Sequence, residues 1–146
     1  MAQRISGLTV RGRPIRVAHR GGHRFAVQIR GHELTVDQPR GSGGDDAGPT
    51  PTELFAASLA ACVAHYGQTF LERHGVDGTV ATEATWWVDL GAERVSRVQV
   101  RVEAPRLPPA LEAGFREAVD RCMVHNSLRH APEVAIETVA AAEAAG

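Results

Sequence analysis

Through the first third of the chain, apolar and polar residues alternate with a period of two. Ile15 and Val17 alternate with Arg16 and Ala18, Phe25, Val27 and Ile29 follow with polar neighbours between them, and Leu34 and Val36 repeat the pattern. Successive side chains of a strand point to opposite faces, so three half-covered strands are predicted. Gly21-Gly22 and Gly31-His32 stand between them as turns, which makes consecutive strands antiparallel. From residue 39 to 49 the periodicity stops in a run of Gly, Ser and Asp, and a loop is expected.

The period then changes to that of a helix. Thr50-Pro51-Thr52-Glu53 reads as a capping box, with Thr50 as N-cap, Pro51 at the first helical position and Glu53 reaching back. The helix should run to about His74, with Gly75 as its left-handed stop. Phe55, Leu59, Cys62 and Tyr66 share one face, and Leu54, Ala57, Ala61 and Ala64/His65 lie on the adjacent one. Ala56, Ala57, Ser58, Ala60 and Ala61 keep the middle slim, so neighbours can approach from several sides, as suits a central helix.

Strand periodicity returns in Val80, Thr82, Ala84, Trp86 and Val88, and again in Val98, Val100 and Val102 after a turn at Leu90-Gly91-Ala92. Pro105, Pro108 and Pro109 break the chain and open a second helix with the apolar set Leu111, Phe115, Ala118, Val119 and Cys122. Val134 and Ile136 predict a last strand, and the alanine-rich tail, 140–146, is expected to fray. The order is β-β-β-α-β-β-α-β, an α+β fold with antiparallel sheets against helices, in a single domain over 1–146.

Composition changes this picture little. A chain of 146 residues can bury roughly two-thirds of its unfolded surface. It therefore needs no disulfide or metal to fold. The N-terminus lacks the apolar core of a signal peptide, and the apolar run Leu54–Ala64 is too short to span a bilayer. No membrane association is expected, and a cytoplasmic location follows, where thiols stay reduced. All 16 basic residues are arginine, and eight fall in the first forty positions against Glu33 and Asp37. They alternate with apolar residues as wet strand faces do, and Phe25 alone among them is no aromatic platform for base stacking, so nucleic acid is not the expected partner.

The candidate chemistry lies in the two cysteines, Cys62 and Cys122. Three readings are open. In the first, both are small core hydrophobes. Cys62-Val-Ala-His65 and Cys122-Met-Val-His125 could together supply a Cys₂His₂ zinc site, since each spacing puts both ligands on one helical face. Or one sulfur attacks a peroxide and becomes a sulfenic acid, which the other converts to a disulfide. Cys62 sits nearly three turns into its helix, beyond the reach of the N-terminal dipole, so a cation from elsewhere would have to lower its pKa.

The stretch from Gly48 to Cys62, GPTPTELFAASLAAC, resembles the central-helix motif of the OsmC/Ohr family, the osmotically inducible and organic-hydroperoxide-resistance proteins. Cys122-Met-Val-His-Asn-Ser-Leu resembles that family's second-cysteine motif, and the order of elements agrees over essentially the whole chain. The resemblance implies an intertwined homodimer whose antiparallel sheets wrap around a long central helix. It implies that Cys62 is the peroxidatic cysteine, that Cys122 resolves it, and that no cofactor or metal takes part. Organic hydroperoxides are the implied substrates, with a thiol or dihydrolipoyl protein as reductant. An arginine held by a glutamate near the helix start stabilises the thiolate in such proteins; Arg40 is the nearest match for the arginine, and Glu53, one residue beyond the family's glutamate position, is the candidate carboxylate. Thr52 stands where the family's glutamate directly follows the proline, and the chain looks like the OsmC-like branch rather than a typical Ohr. Phe55, Leu59, Tyr66 and Met123, with Trp86 or Trp87, are the expected substrate-binding residues. The alternative from another class is a non-catalytic module of the same fold that holds a small apolar ligand beside inert cysteines.

Overall fold

The computed structural model describes residues 7–140. The expected frayed tail lies outside them, apart from Ala140, which has no regular structure. Two compact units are distinguished, residues 1–55 and 56–146, with the boundary inside the long helix.

The first unit carries β1 (Arg16–His19), β2 (Phe25–Ile29) and β3 (His32–Val36) in one antiparallel sheet of that order. Both turns are built on left-handed backbone, with Gly21 at φ 98° and Gly22 at φ 55° in the first. The second falls one residue earlier than the glycine implied. Ile29 pairs with His32, so Arg30 (φ 57°) and Gly31 make the turn.

The glycine-rich segment that follows is an ordered loop. Asp37, fully buried at the end of β3, holds it. Its carboxylate accepts three backbone N–H bonds, from Gln38 (2.8 Å), Asp45 (3.1 Å) and Ala47 (3.0 Å). Gly44 passes so close that a Cβ there would lie 1.9 Å from the Gln38 carbonyl oxygen. The Ala47 N–H bond leads in holding the Asp37 pKa below its ordinary value, with burial opposing and the Gln38 and Asp45 N–H groups and Arg24 assisting. A depressed carboxylate stabilises the fold above the ordinary aspartate pKa of about 3.9, and that contribution is lost as pH falls through the lower folded value. Asp37→Asn should therefore lower the urea midpoint at pH 7 and flatten its decline below pH 4. Parallel acid limbs for the two proteins would remove Asp37 from this role.

Helix α1 (Pro51–Arg73) starts as its sequence dictates. Glu53 N–H donates to Thr50 Oγ1 and Thr50 N–H to Glu53 Oε2, both at 3.1 Å. It ends at Gly75 (φ 65°), with Val76 N–H reaching back to the Leu71 carbonyl at 2.9 Å. The buried stripe is Ala56, Leu59, Val63, Gly67 and Leu71, rotated from the expected Phe55/Leu59/Cys62/Tyr66 face. The cause is small size. A Cβ on Gly67 would lie 3.1 Å from the Phe115 ring and 3.3 Å from Val80, so the bare backbone is what lets both pack there. In length and mean hydropathy (1.3) α1 also matches a membrane span. Here Leu59 and Val63 pack against Val98, Val100 and Val102, and Thr82 Oγ1 donates to the Ala60 carbonyl at 3.0 Å.

Strands β4 (Ala81–Asp89) and β5 (Arg94–Glu103) form the predicted hairpin. Asp89 Oδ1 accepts the N–H groups of Gly91 and Ala92, both at 3.0 Å, to close its turn. After a 3₁₀ turn at Pro109–Leu111 come α2 (Glu112–Asp120) and α3 (Met123–Arg129).

Two expectations are corrected. The second helix does not run through Cys122: α2 stops at Asp120, and Cys122, extended at φ −60° and ψ 141°, is the N-cap of α3. The apolar period carries across the break because Val119 and Cys122 face the same core, and such a period does not report whether the hydrogen-bond ladder is continuous. The last strand is not formed either. Residues 131–140 have no regular structure, and Val134 and Ile136 are 74% and 88% exposed. Alternation prepares a strand, but without a neighbour to complete the ladder no sheet forms. The fold class stands, as mixed α+β with antiparallel sheets and helices.

Candidate functional site

The core of the 56–146 unit is built around sulfur. Leu59, Val63 and Cys122 form its buried centre, and Cys62, Tyr66, Val98, Val100, Val102, Val119 and Val124 pack against it. Helical spacing puts Cys62 beside Leu59 and Val63 on α1, while the α2–α3 break turns Cys122 inward from the other side. Residues sixty positions apart thus meet, and both thiols are free.

The two sulfurs have unlike surroundings. Cys62 is half-buried, whereas Cys122 is fully buried. His125 N–H donates to Cys122 Sγ at 3.3 Å, in the usual geometry of a side-chain N-cap. Burial pushes the Cys122 pKa up, and Cys62, within side-chain hydrogen-bonding reach, pushes it further. The backbone N–H groups of His125 and Val124 pull the other way without reversing it. Cys122 is accordingly a neutral thiol near pH 7.

Leu59 and Val63 of the same cluster also line a cavity of ≈ 260 Å³, whose walls include neither cysteine. Its walls are aliphatic, from Leu59 and Val63 of α1, three valines of β5 and Val119 of α2, and its polar rim is Arg116, Asp120 and His125. The sequence offered the β5 valines only as one face of a strand, with nothing to say that α1 and α2 would cover them. Asp120 is the hub of the rim, pairing with Arg129 at 2.8 Å and with His125 Nδ1 at 3.5 Å.

Of the expected substrate residues, Leu59 lines this cavity. Tyr66 packs on the cysteine cluster but lines a second cavity, with His65, Phe70 and Arg73 among its walls. Met123 is 70% exposed and Phe55 is 42% exposed, and neither is among the residues lining the first cavity. Trp86 stands opposite Val98 on the hairpin. Trp87 takes the other face, where the Arg97 guanidinium lies 4.6 Å from its ring centroid.

The two residues expected to activate the thiolate belong to the other unit. Arg40 opens an exposed 3₁₀ turn, Arg40–Ser42, and Glu53 is engaged in the capping box. The zinc alternative fails on geometry. His65 and His125 line different cavities, and among the described residues no three His, Cys, Asp or Glu side chains are grouped to share an ion.

Comparison with known proteins identifies the family and the fold. Residues 43–137 match the family model described as OsmC-like protein. Among solved structures, the chain is similar to a protein of Psychrobacter arcticus 273-4 described as a putative osmotic stress induced and detoxification response protein. The two share 23% identity and a TM-score of 0.72, over 82% of this chain and 91% of that one. An OsmC-like protein of Mycoplasma pneumoniae superposes at TM-score 0.70 with 14% identity, over 84% and 91% of the two chains. The organic hydroperoxide resistance protein OhrB of Bacillus subtilis does so at 0.55 with 18% identity, over 81% and 92%. No curated protein sequence matches.

Proposed function

Because this chain belongs to the OsmC-like protein family, we propose that it is a thiol-dependent peroxidase that reduces organic hydroperoxides. The observation carrying this reading is the convergence of Cys62 and Cys122 in one core cluster, which shares Leu59 and Val63 with the walls of an aliphatic cavity. Similar structures named for organic hydroperoxide resistance support the substrate class.

The chemistry follows from the contrast between the sulfurs. A buried neutral thiol is a poor first nucleophile, so Cys62, the more accessible of the two, attacks the distal peroxide oxygen as its thiolate. The O–O bond breaks, an alcohol leaves and Cys62 becomes a sulfenic acid. Cys122 then attacks that sulfur, giving a disulfide and water. A thiol or dihydrolipoyl donor reopens the bridge. The aliphatic walls favour an alkyl hydroperoxide over hydrogen peroxide. Arg40, and Glu53 beyond its cap, are the proposed thiolate partners, in a cytoplasmic homodimer.

Full burial of Cys122 is what favours the competing reading, a ligand-binding module with inert thiols. One equivalent of cumene hydroperoxide separates the two. We expect both thiols to disappear and a Cys62–Cys122 disulfide to appear in the peptide mass map. Cys122→Ser should stop at a sulfenic acid on Cys62 that dimedone traps. Two thiols that survive the peroxide unchanged would favour the binding module.

A further inference from the structure

The cavity that Tyr66 lines differs in kind from the aliphatic one. It measures ≈ 390 Å³, a usual size for a small-molecule site, and all its walls belong to the 56–146 unit. Two rows of α1 line it at the i, i+4, i+8 spacing of one helical face. His65, Thr69 and Arg73 make a polar row, and Tyr66, Phe70 and His74 make an aromatic row beside it. Each row runs for about 12 Å. The second helix contributes Ala118, whose short side chain leaves the opposite wall low, and Arg121 at the α2 C-cap. No carboxylate is among the described lining residues.

The aromatic row is held in place by the protein's own contacts. A Cβ on Gly114 would lie 3.3 Å from the Phe70 ring, so bare α2 backbone closes on that ring, and Phe115 meets it edge-on at 5.6 Å. His74 stacks on Phe70 with 3.9 Å between centroids, and its Nδ1 lies 2.8 Å from the Phe70 carbonyl oxygen. A carbonyl only accepts, so Nδ1 donates and the ring orientation is fixed. Rings set in this way lose little freedom when a ligand arrives.

The donors of the cavity are unengaged. Among the described residues, no hydrogen bond or ion pair involves the Tyr66 hydroxyl, the Thr69 hydroxyl or the Arg73 guanidinium. A basic residue in the last turn of a helix commonly serves the orphan carbonyls there. Here the carbonyls of Phe70, Leu71 and Glu72 already accept from His74 Nδ1, Val76 N–H and Gly75 N–H. Arg121 is tied to Glu117 through one nitrogen at 2.5 Å, which leaves the other N–H groups of its fork. Arg73 is therefore the principal cation of the site.

We propose that this cavity binds a flat aromatic carboxylate, with its ring on the Tyr66–Phe70–His74 row and its carboxylate on the Arg73 guanidinium. A planar guanidinium matches a carboxylate in a two-point bond, and Arg121 adds a second positive charge from α2. A bare inorganic anion would leave the aromatic row unused, and a neutral aromatic would leave Arg73 without its counter-charge. Neither cysteine lines the cavity, so binding there is independent of thiol chemistry.

Isothermal titration calorimetry of the full-length protein with 2-naphthoate tests this without any peroxide. Binding should be stoichiometric and about tenfold or more tighter than for 2-naphthamide, which keeps the rings and lacks the charge, or for acetate, which keeps the charge and lacks the rings. Arg73→Gln should weaken 2-naphthoate about tenfold and leave 2-naphthamide unchanged. Ala118→Leu, which fills the cavity from α2, should weaken both. Because α1 and α2 wall the site together, 2-naphthoate should also raise the wild-type Tm, and do so less in Arg73→Gln. Equal affinities for 2-naphthoate and 2-naphthamide, acetate as tight as 2-naphthoate, or binding that both variants leave intact would each overturn the proposal. So would a titration with neither heat nor a shift in Tm.

Discussion

Replacement of Cys62 by serine should lower kcat/KM for cumene hydroperoxide by about 10³-fold or more, as loss of the nucleophile does in enzymes that use one. A hydroxyl of nearly the same volume keeps the packing beside Leu59 and Val63, so the melting temperature should barely move. What is lost is the thiolate. A serine hydroxyl is far too weak an acid to ionise here, and it cannot become a sulfenic acid. A variant that keeps both its fold and the wild-type rate would show that Cys62 is not the peroxidatic residue. Cys122→Ser should behave differently: its first turnover should proceed and only regeneration should fail. Comparing the single-turnover and steady-state rates of the two variants orders the sulfurs without recourse to resemblance.

The largest expected effect on stability is at Phe115. Its side chain is buried, its ring meets Phe70 edge-on at 5.6 Å between centroids, and its edge fills the notch left by Gly67. Truncation to alanine removes that contact and opens a cavity that a helix lacking a side chain at Gly67 cannot collapse to fill. The expected cost is about 3–5 kcal/mol. For a chain of this length that corresponds to a fall in Tm on the order of 10 °C, read by thermal circular dichroism. A fall of only a degree or two would mean that the α1–α2 packing rests on other contacts. Cys62 and Cys122 lie outside this notch, so the residual folded protein should still form the disulfide.

The sequence was most legible where the signal is local. Thr50 and Glu53 cap α1 because the donors and acceptors they satisfy lie within one turn. Gly75 ends it for an equally local reason, a left-handed backbone. The hairpin β4–β5 and the sheet β1–β2–β3 follow from alternation and turn residues. The turn at Arg30-Gly31 slipped by one residue because a non-glycine residue took the left-handed position.

Size, rather than hydrophobicity, decided which face of α1 is buried. Gly67 gives a weak apolar signal, yet it sits inside because Phe115 and Val80 need the room. The same limit hid the break before Cys122. Its apolar spacing fits one continuous helix, and nothing in that spacing shows that its sulfur would instead cap a new helix or that Asp120 would pair with Arg129 nine residues on. Asp37 carried no visible mark beyond its charge, since a carboxylate that gathers N–H groups from up to ten residues onward is recognised only once the loop has closed.

For the site itself, the sequence by itself supplied the candidate reacting atoms: two sulfurs, each in a motif that gives it an expected role. It also determined the family, through residues 43–137. Only the tertiary structure decided that the sulfurs meet, that one is sealed in the core, and that His125 stands at the cavity rim with Asp120 at its back. The physical reason is range. Capping, turn geometry and alternation are settled within a few residues, whereas burial, tautomer and thiol acidity depend on whatever the folded chain brings alongside.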